Sequence, residues 1–237
     1  MPSLPPDSPV SAQLSPSRFS STAARPAGDH PVGAVLRSAL AGGYPPVDGR
    51  VAVVAPWRAG TEAVVQFSGH AIVATTRSLA QVLATGIDAT GNAFAPDVAR
   101  ALAGVGGSID GVDVVLLAAG TGRTSLPERR ALDDHPRAQY ARAWRDGVHV
   151  HGDERGLVTV SRGLGGLAEL SVEVVPDLRG RRLGAALLED ARGLVPEGEP
   201  VTAQVAIGNA RALRTALAAG FRPIGAAQLI RPGWRSA

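Results

Sequence analysis

The sequence predicts an α/β chain built on a mixed sheet, and three observations carry that expectation. Short apolar runs alternate with stretches of helical spacing from about residue 30 onward. Gly or Asn stands where helical stretches begin or end, as at Asn209 and Gly220. One run, VDVVLLAAG at 112–120, is apolar almost throughout, the mark of a strand covered on both faces.

Residues 1–29 are rich in Pro and Ser and poor in large apolar side chains. Such a segment cannot bury enough surface to offset the entropy of ordering it, so a disordered tail is expected. Residues 30–130 read as an N-terminal α/β region. HPVGAVLRSALAGG has helical spacing and ends in Gly-Gly. VAVVAP at 51–56 reads as a strand, and AVVQFSGHAIVATT at 63–76 as a bent strand or a hairpin broken at Ser68 and Gly69. SLAQVLATG and PDVARALAGVGG read as helices stopped by Gly. The strand at 112–120 follows, and then a polar, turn-rich stretch, GTGRTSLPERRALDDHP, suited to a linker or exposed loop.

Residues 131–237 are more regular. HPRAQYARAWRDG is a helix, and three strands follow, with turns at 153–156 and 163–166. An Arg- and Gly-rich loop then leads into the helix LGAALLEDARGLV. Strand VTAQVAI at 201–207, helix NARALRTALAAG with Asn209 as its N-cap, and strand FRPIGAAQLI complete the order. The N-terminal region also alternates strands and helices and is compatible with a diverged second copy of the same fold.

Composition excludes several classes of function. The chain of 237 residues has no Cys, which rules out disulfides, thiolate nucleophiles and Cys-based metal sites. No apolar stretch approaches the roughly 18 residues of a membrane span. The start, MPSLPPDSPV, lacks the basic and apolar segments of a secretory leader, so a cytoplasmic protein is expected. The 24 cationic side chains are all Arg, yet acidic residues are mixed among them, and the net charge is only +3. A nucleic-acid surface needs the arginines on one face with aromatics interleaved, so nucleic-acid binding is not expected. His149 and His151 share a strand face without a third ligand at useful spacing, so no metal site is expected. Tyr140 and Trp144, four apart on one helix, read as core.

The Arg-rich loop is the most informative segment. A helix that begins in a Gly-containing turn presents unpartnered N–H groups and the positive end of its dipole, a ready anion site. In Arg179-Gly180-Arg181-Arg182-Leu183-Gly184 the glycines allow close approach to the backbone, and the arginines supply charge for phosphate oxygens. A P-loop is excluded by the absence of Lys, and a dinucleotide fingerprint by the absence of G-x-G-x-x-G after a first strand. Capping and solvated charge alone would also produce such a turn.

Residues from about 145 to 230 resemble the GNAT superfamily of acyl-CoA-dependent N-acyltransferases. The family's [QR]-x-x-G-x-[GA] loop is matched by 179–184, with Arg182 in place of the middle glycine, and the preceding strand carries Val172, Val174 and then Pro176. A second signature, N-x-x-A-L-R followed by G-F, is matched by Asn209, Ala212, Leu213, Arg214, Gly220 and Phe221. The resemblance implies a mixed central sheet of the GNAT type in the C-terminal half, with two strands splayed apart over the donor. It implies acetyl-CoA as acyl donor and an amine as acceptor, with direct attack in a ternary complex. The backbone amides of Arg181, Arg182, Leu183, Gly184 and Ala185 would hold the pyrophosphate, with Arg179 and Gly180 completing the loop. Val172 and Val174 would offer strand backbone to the pantetheine, and Asn209 would contact the same arm or serve only as a cap. Arg211 and Arg214 would reach the adenosine phosphate or lie on a solvated face.

The resemblance also frames the chemistry. Some members use a Glu about ten residues before the loop's first residue as base. Glu169 has that spacing, and Glu173 shares its strand face. The alternative is that both simply line a polar face. The oxyanion donor would be a backbone N–H near Val174. Many members protonate the leaving thiolate with a Tyr seven residues after the motif Asn; here that position is Ala216. The departure leaves open an acyl-CoA-binding module without turnover, a sensor or structural domain. A homodimer is compatible with the sequence.

Overall fold

The structure, a computed structural model, describes residues 30–233; the segment 1–29, expected as a tail, and Trp234 lie outside the described residues. Helix α1 (Pro31–Leu40) leads to strand β1 (Arg50–Val54) and the hairpin β2 (Glu62–Phe67) and β3 (His70–Ala74). Gly69, at φ 68°, supplies the left-handed residue that the hairpin turn requires. Helices α2 (Leu79–Leu83) and α3 (Pro96–Ala103) precede the long strand β4 (Ser108–Ala119). Helix α4 (Pro136–Trp144) follows, and then the meander β5 (Asp146–Asp153), β6 (Gly156–Arg162) and β7 (Ala168–Val174). Helix α5 (Leu183–Ala191), strand β8 (Pro200–Ala206), helix α6 (Ala210–Ala218) and strand β9 (Arg222–Arg231) complete the order.

The fold is α/β with a mixed sheet, as the sequence predicts. Nine strands form one sheet in the order β1-β3-β2-β9-β4-β8-β7-β6-β5. The pairings are antiparallel except for β1 with β3 and β7 with β8. Strand β4 lies between β8 and β9 and pairs with both. Its apolar run is therefore covered on both faces, and Val115, Leu116, Leu117 and Ala118 are buried. The sheet is continuous across residue 130, because β4 comes from before that point and both of its neighbours come from after it.

Alternation along the strands builds two cores. On one face α1, α4 and the turn at 164–166 cover Val65, Val115, Leu117 and Leu229, with Leu36, Trp144 and Leu164 inserted between them. On the other face α5 and α6 cover Leu116, Val158, Leu170, Val201 and Phe221. Helices α2 and α3 cover the same face farther along, over Val64, Val73 and Ile230. The first face needs one close approach. A Cβ on Gly33 of α1 would lie 2.8 Å from the carbonyl oxygen of Gly165, and Gly165 itself takes φ 60°. None of the described helices is long and apolar enough to cross a membrane.

A chain that starts at residue 131 lacks β2 and β4, so β8 would present an unpaired edge and β9 would lose both of its ladder partners. Such a fragment is expected to show no cooperative thermal transition by circular dichroism, whereas the full chain melts as one unit. An independent transition in the fragment would mean that β4 is dispensable to the fold.

A split between two parallel strands as the candidate active site

The candidate site begins where two neighbouring strands part. β7 and β8 are parallel, but they pair only at Ala168 with Val201 and at Glu169 with Thr202. Beyond that rung β7 stays on β6 as far as Val174, and β8 stays on β4 as far as Ala206. Each strand is held by its outer neighbour, so the gap between them widens toward their C-terminal ends. A cleft of about 190 Å³ occupies the gap. One wall is Leu170, Ser171 and Val172, and the other is Ala203 to Ala206. Asn209 and Ala216 of α6 line it on one side of the sheet, and Arg137 of α4 lines it on the other. Strand edges that face such a gap carry backbone N–H and C=O groups without a ladder partner, so they are available to an extended ligand.

The Arg-rich loop opens beside this cleft. Gly180 takes φ 85° and faces open space, which permits close approach to its backbone. Arg182, at φ 60°, is the single non-glycine residue with positive φ among the described residues. It holds the left-handed conformation that a glycine would adopt freely, a strain worth roughly 1–2 kcal/mol. No side chain caps α5, so the N–H groups of its first turn point outward. Gly184 serves packing, since a Cβ there would come within 3.1 Å of Thr215 and 3.2 Å of Val174. The guanidinium of Arg179 turns back to the strand: its Nε donates to the Val174 carbonyl at 3.2 Å, and Nη2 lies 3.7 Å from Glu173 Oε1. Arg181 and Arg182 are exposed. Asn209 Oδ1 accepts from the Ala212 N–H at 3.0 Å, so it caps α6 while also lining the cleft.

The strand carboxylates, grouped by alternation, are in separate settings. Glu169 is 1 % exposed and forms an ion pair with Arg145, which is 9 % exposed. Its oxygens also accept from Gln204 Nε2 at 3.0 and 2.9 Å and from the Leu164 N–H at 3.2 Å. That setting differs from the one a base requires, because a sealed carboxylate with both oxygens engaged offers no lone pair to a substrate proton. Glu173 is half-buried and accepts from Arg137 Nε at 2.9 Å, while Arg137 Nη1 donates to Ser171 Oγ at 2.7 Å. Partial burial acts to raise its pKa, but Arg137, His135 and Arg179 together outweigh burial and hold it below the ordinary carboxylate range. Neither carboxylate is among the residues that line the cleft.

The structure adds residues that the sequence did not single out. Arg145 and Gln204 surround Glu169, and Arg137 reaches the cleft from α4. Tyr140 is half exposed, contrary to its expected place in the core. Its hydroxyl donates to Asp110 Oδ2 at 2.7 Å, and the Arg145 guanidinium lies 5.9 Å from its ring. Burial and the hydrogen bond that its hydroxyl donates to Asp110 raise the Tyr140 pKa. Asp113 stands on β4 opposite Ala206. Burial, with Asp110 and Glu169 nearby, pushes its carboxyl up to about 6 against the opposing pull of Arg145. The one sequence signal for Asp113 was its charge inside the otherwise apolar run at 112–120. The histidines are elsewhere. His149 and His151 contact Glu128 and the Leu126 carbonyl, and His70 pairs with Asp48 on β3, four strands from β8.

Removing one partner of a buried ion pair leaves the other charge uncompensated, at about 3–5 kcal/mol. Arg145→Ala is therefore expected to lower unfolding free energy by that amount in urea titrations. Glu173→Gln, in a half-exposed pair, should cost about 1 kcal/mol or less. Equal losses from the two variants would mean that the Arg145–Glu169 pair is not sealed from water.

No protein-family model and no curated protein matches the chain. Partial likenesses occur among solved structures. One is to a protein from Novosphingobium aromaticivorans assigned as an acetyltransferase of the GNAT family, at 20 % identity and a TM-score of 0.32, over 55 % of this chain and 69 % of that one. A Drosophila protein is similar at 12 % identity and a TM-score of 0.38, over 58 % of this chain and 55 % of that one. A functionally unknown conserved protein from Staphylococcus epidermidis is similar at 12 % identity and a TM-score of 0.35, over 57 % of this chain and 66 % of that one.

Proposed function

We propose that this chain is an acyl-CoA-dependent N-acyltransferase of the GNAT type that moves an acetyl group from acetyl-CoA to an amine by direct attack in a ternary complex. The observation that carries the reading is the split between β7 and β8, which opens a cleft next to an uncapped helix N-terminus. A thioester donor with a long amide-bearing arm and a pyrophosphate fits that pair of features. The strand edges offer hydrogen bonds to the arm, and the first turn of α5 offers N–H groups and dipole to the anion. In this reading the amides of Arg181 to Ala185 hold the pyrophosphate, and Val172 and Val174 hold the arm. Gly180 permits close approach, and Asn209 borders the cleft. Arg179 steadies the loop by tying it to the end of β7. Residues 131–237 carry the donor site, and 30–130 complete the sheet and the acceptor side. The cysteine-free composition supports a cytoplasmic setting and a mechanism without a covalent acyl-enzyme.

A second reading is a module that binds acyl-CoA without turnover. One observation favours it: Ala216, at the position where the resembling family often has its acid, is buried against the cleft and supplies no proton.

Titration calorimetry with acetyl-CoA tests the donor site. Arg182→Gly should keep the loop conformation, since glycine takes φ 60° without strain, while removing one charge. Acetyl-CoA is expected to bind the wild type and to bind this variant about tenfold more weakly, the loss of one charge-assisted contact. No binding to the wild type would overturn both readings. Binding with turnover of amines selects the enzyme, and binding without it selects the module.

A further inference from the structure

The face of the sheet beneath α4 carries a row of polar side chains: Tyr140 from α4 and Arg145 just after it, Asp110 and Asp113 from β4, Glu169 from β7 and Gln204 from β8. Their commitments are unequal. Glu169 is taken by Arg145, Gln204 and the Leu164 N–H. Asp110 accepts from the Tyr140 hydroxyl. Glu173, farther along β7, is held by Arg137. The Asp113 carboxylate makes no hydrogen bond or ion pair with the described residues, although it is half-buried.

Its place is as informative as its lack of partners. Asp113 is paired with Ala206 across the β4–β8 ladder, and Ala206 lines the cleft. Paired residues of an antiparallel ladder project to the same face with Cβ atoms about 4.5–5.5 Å apart. Ala206 is the last residue of β8, where the gap from β7 is widest. Asp113 thus stands one ladder position behind the cleft wall at Ala206, on the face of the sheet where Arg137 and Ser171 meet, although it is not itself among the residues that line the cleft.

Resting on the acyltransferase reading, we propose that Asp113 is the general base of the reaction and that the acceptor is a cationic primary amine whose ammonium group enters beside it on the α4 side of the cleft. The carboxylates of Asp110, Asp113, Glu169 and Glu173 outnumber the guanidinium groups of Arg145 and Arg137 there, so the field favours a cation. A carboxyl pushed up to about 6 is ionised at neutral pH yet accepts a proton more readily than an ordinary one. The proton passes from the ammonium nitrogen to an Asp113 carboxylate oxygen. The freed lone pair forms the C–N bond at the thioester carbonyl carbon, and the C–S bond breaks. The nitrogen loses its second proton as the adduct collapses. Of the two protons released, one ends on the thiol and one in solvent. No oxidant or reductant is needed.

Two sets of measurements test this. The first follows acyl transfer from acetyl-CoA to spermidine and to a lysine-bearing peptide. Asp113→Asn is expected to lower kcat/KM by about 10²–10⁴-fold and to abolish the acid limb near pH 6, with acetyl-CoA affinity by calorimetry unchanged. Asp113→Glu should restore part of the rate. The second is thermal melting against pH. Because the folded-state pKa lies above its ordinary 3.8, ionising Asp113 weighs against the fold, negligibly below about pH 4 and fully above about pH 6. Asp113→Asn should therefore raise Tm at pH 8 and leave it nearly unchanged at pH 4. Turnover by Asp113→Asn and by Asp113→Ser at wild-type rate, with the acid limb retained, would overturn the base and leave the acyltransferase standing. Binding of acetyl-CoA with no transfer to either amine by the wild type would overturn both. A Tm of Asp113→Asn that falls at pH 8 would overturn the unpartnered carboxylate on which the inference rests.

Discussion

Glu169 and Arg145 meet almost wholly out of water at the last rung on which β7 and β8 are paired. Burying two opposite charges is costly unless their remaining hydrogen-bonding capacity is also met. Here Gln204 and the Leu164 N–H complete the carboxylate. The four residues of this cluster come from the end of α4, β8, β7 and the turn before β7, so one charge cluster joins the elements that frame the split. Beyond it nothing ties the two strands together, and the cleft begins. The carboxylate that the sequence nominates for chemistry thus ties together the elements at the start of the split.

The same clasp shapes the electrostatics next to it. Once Arg145 is committed to Glu169, it is only a partial counterweight to Asp113, and Asp110 has Tyr140 as its partner. A half-buried carboxylate without a partner has its charged form disfavoured, which raises its affinity for protons. Such an arrangement costs stability and is tolerated because the surrounding core is well packed, with Val115 and Leu117 of the same strand sealed beneath α1 and α4. Strained Arg182 at the start of α5 is a second local cost beside the same cleft. Both lie close to the cleft between β7 and β8.

Much of the fold was legible because each local pattern agreed with the next. Alternation marked β2, β3 and the β5–β7 meander, and the caps at Asn209 and Gly220 bounded α6. The break at Ser68 and Gly69 resolved as a hairpin, and the unbroken run at 112–120 as a central strand. The loop at 179–184 was legible because its residues are contiguous and its chemistry is that of a helix start. The remainder of the site was not. Asp113, Arg145, Gln204 and Arg137 are scattered over two strands, a helix and the residue that ends it, and apart from the charge of Asp113 in an apolar run nothing in their local sequence distinguishes them. Glu169 and Glu173 were correctly grouped on one face, yet their surroundings came from α4 and β8, which alternation does not report.

By itself the sequence determined what depends on neighbours along the chain: the α/β class, the order of strands and helices, the turn that opens α5 and the absence of cysteine chemistry. Tertiary structure alone decided that β4 enters the sheet between β8 and β9, that β7 and β8 part after Glu169, and which carboxylate is sealed and which is left open. The physical reason is that periodicity and capping are set within a few residues. Burial, ion pairing and proton affinity depend instead on groups that meet across the sheet, as Asp113, Arg145 and Glu169 do from β4, the end of α4 and β7.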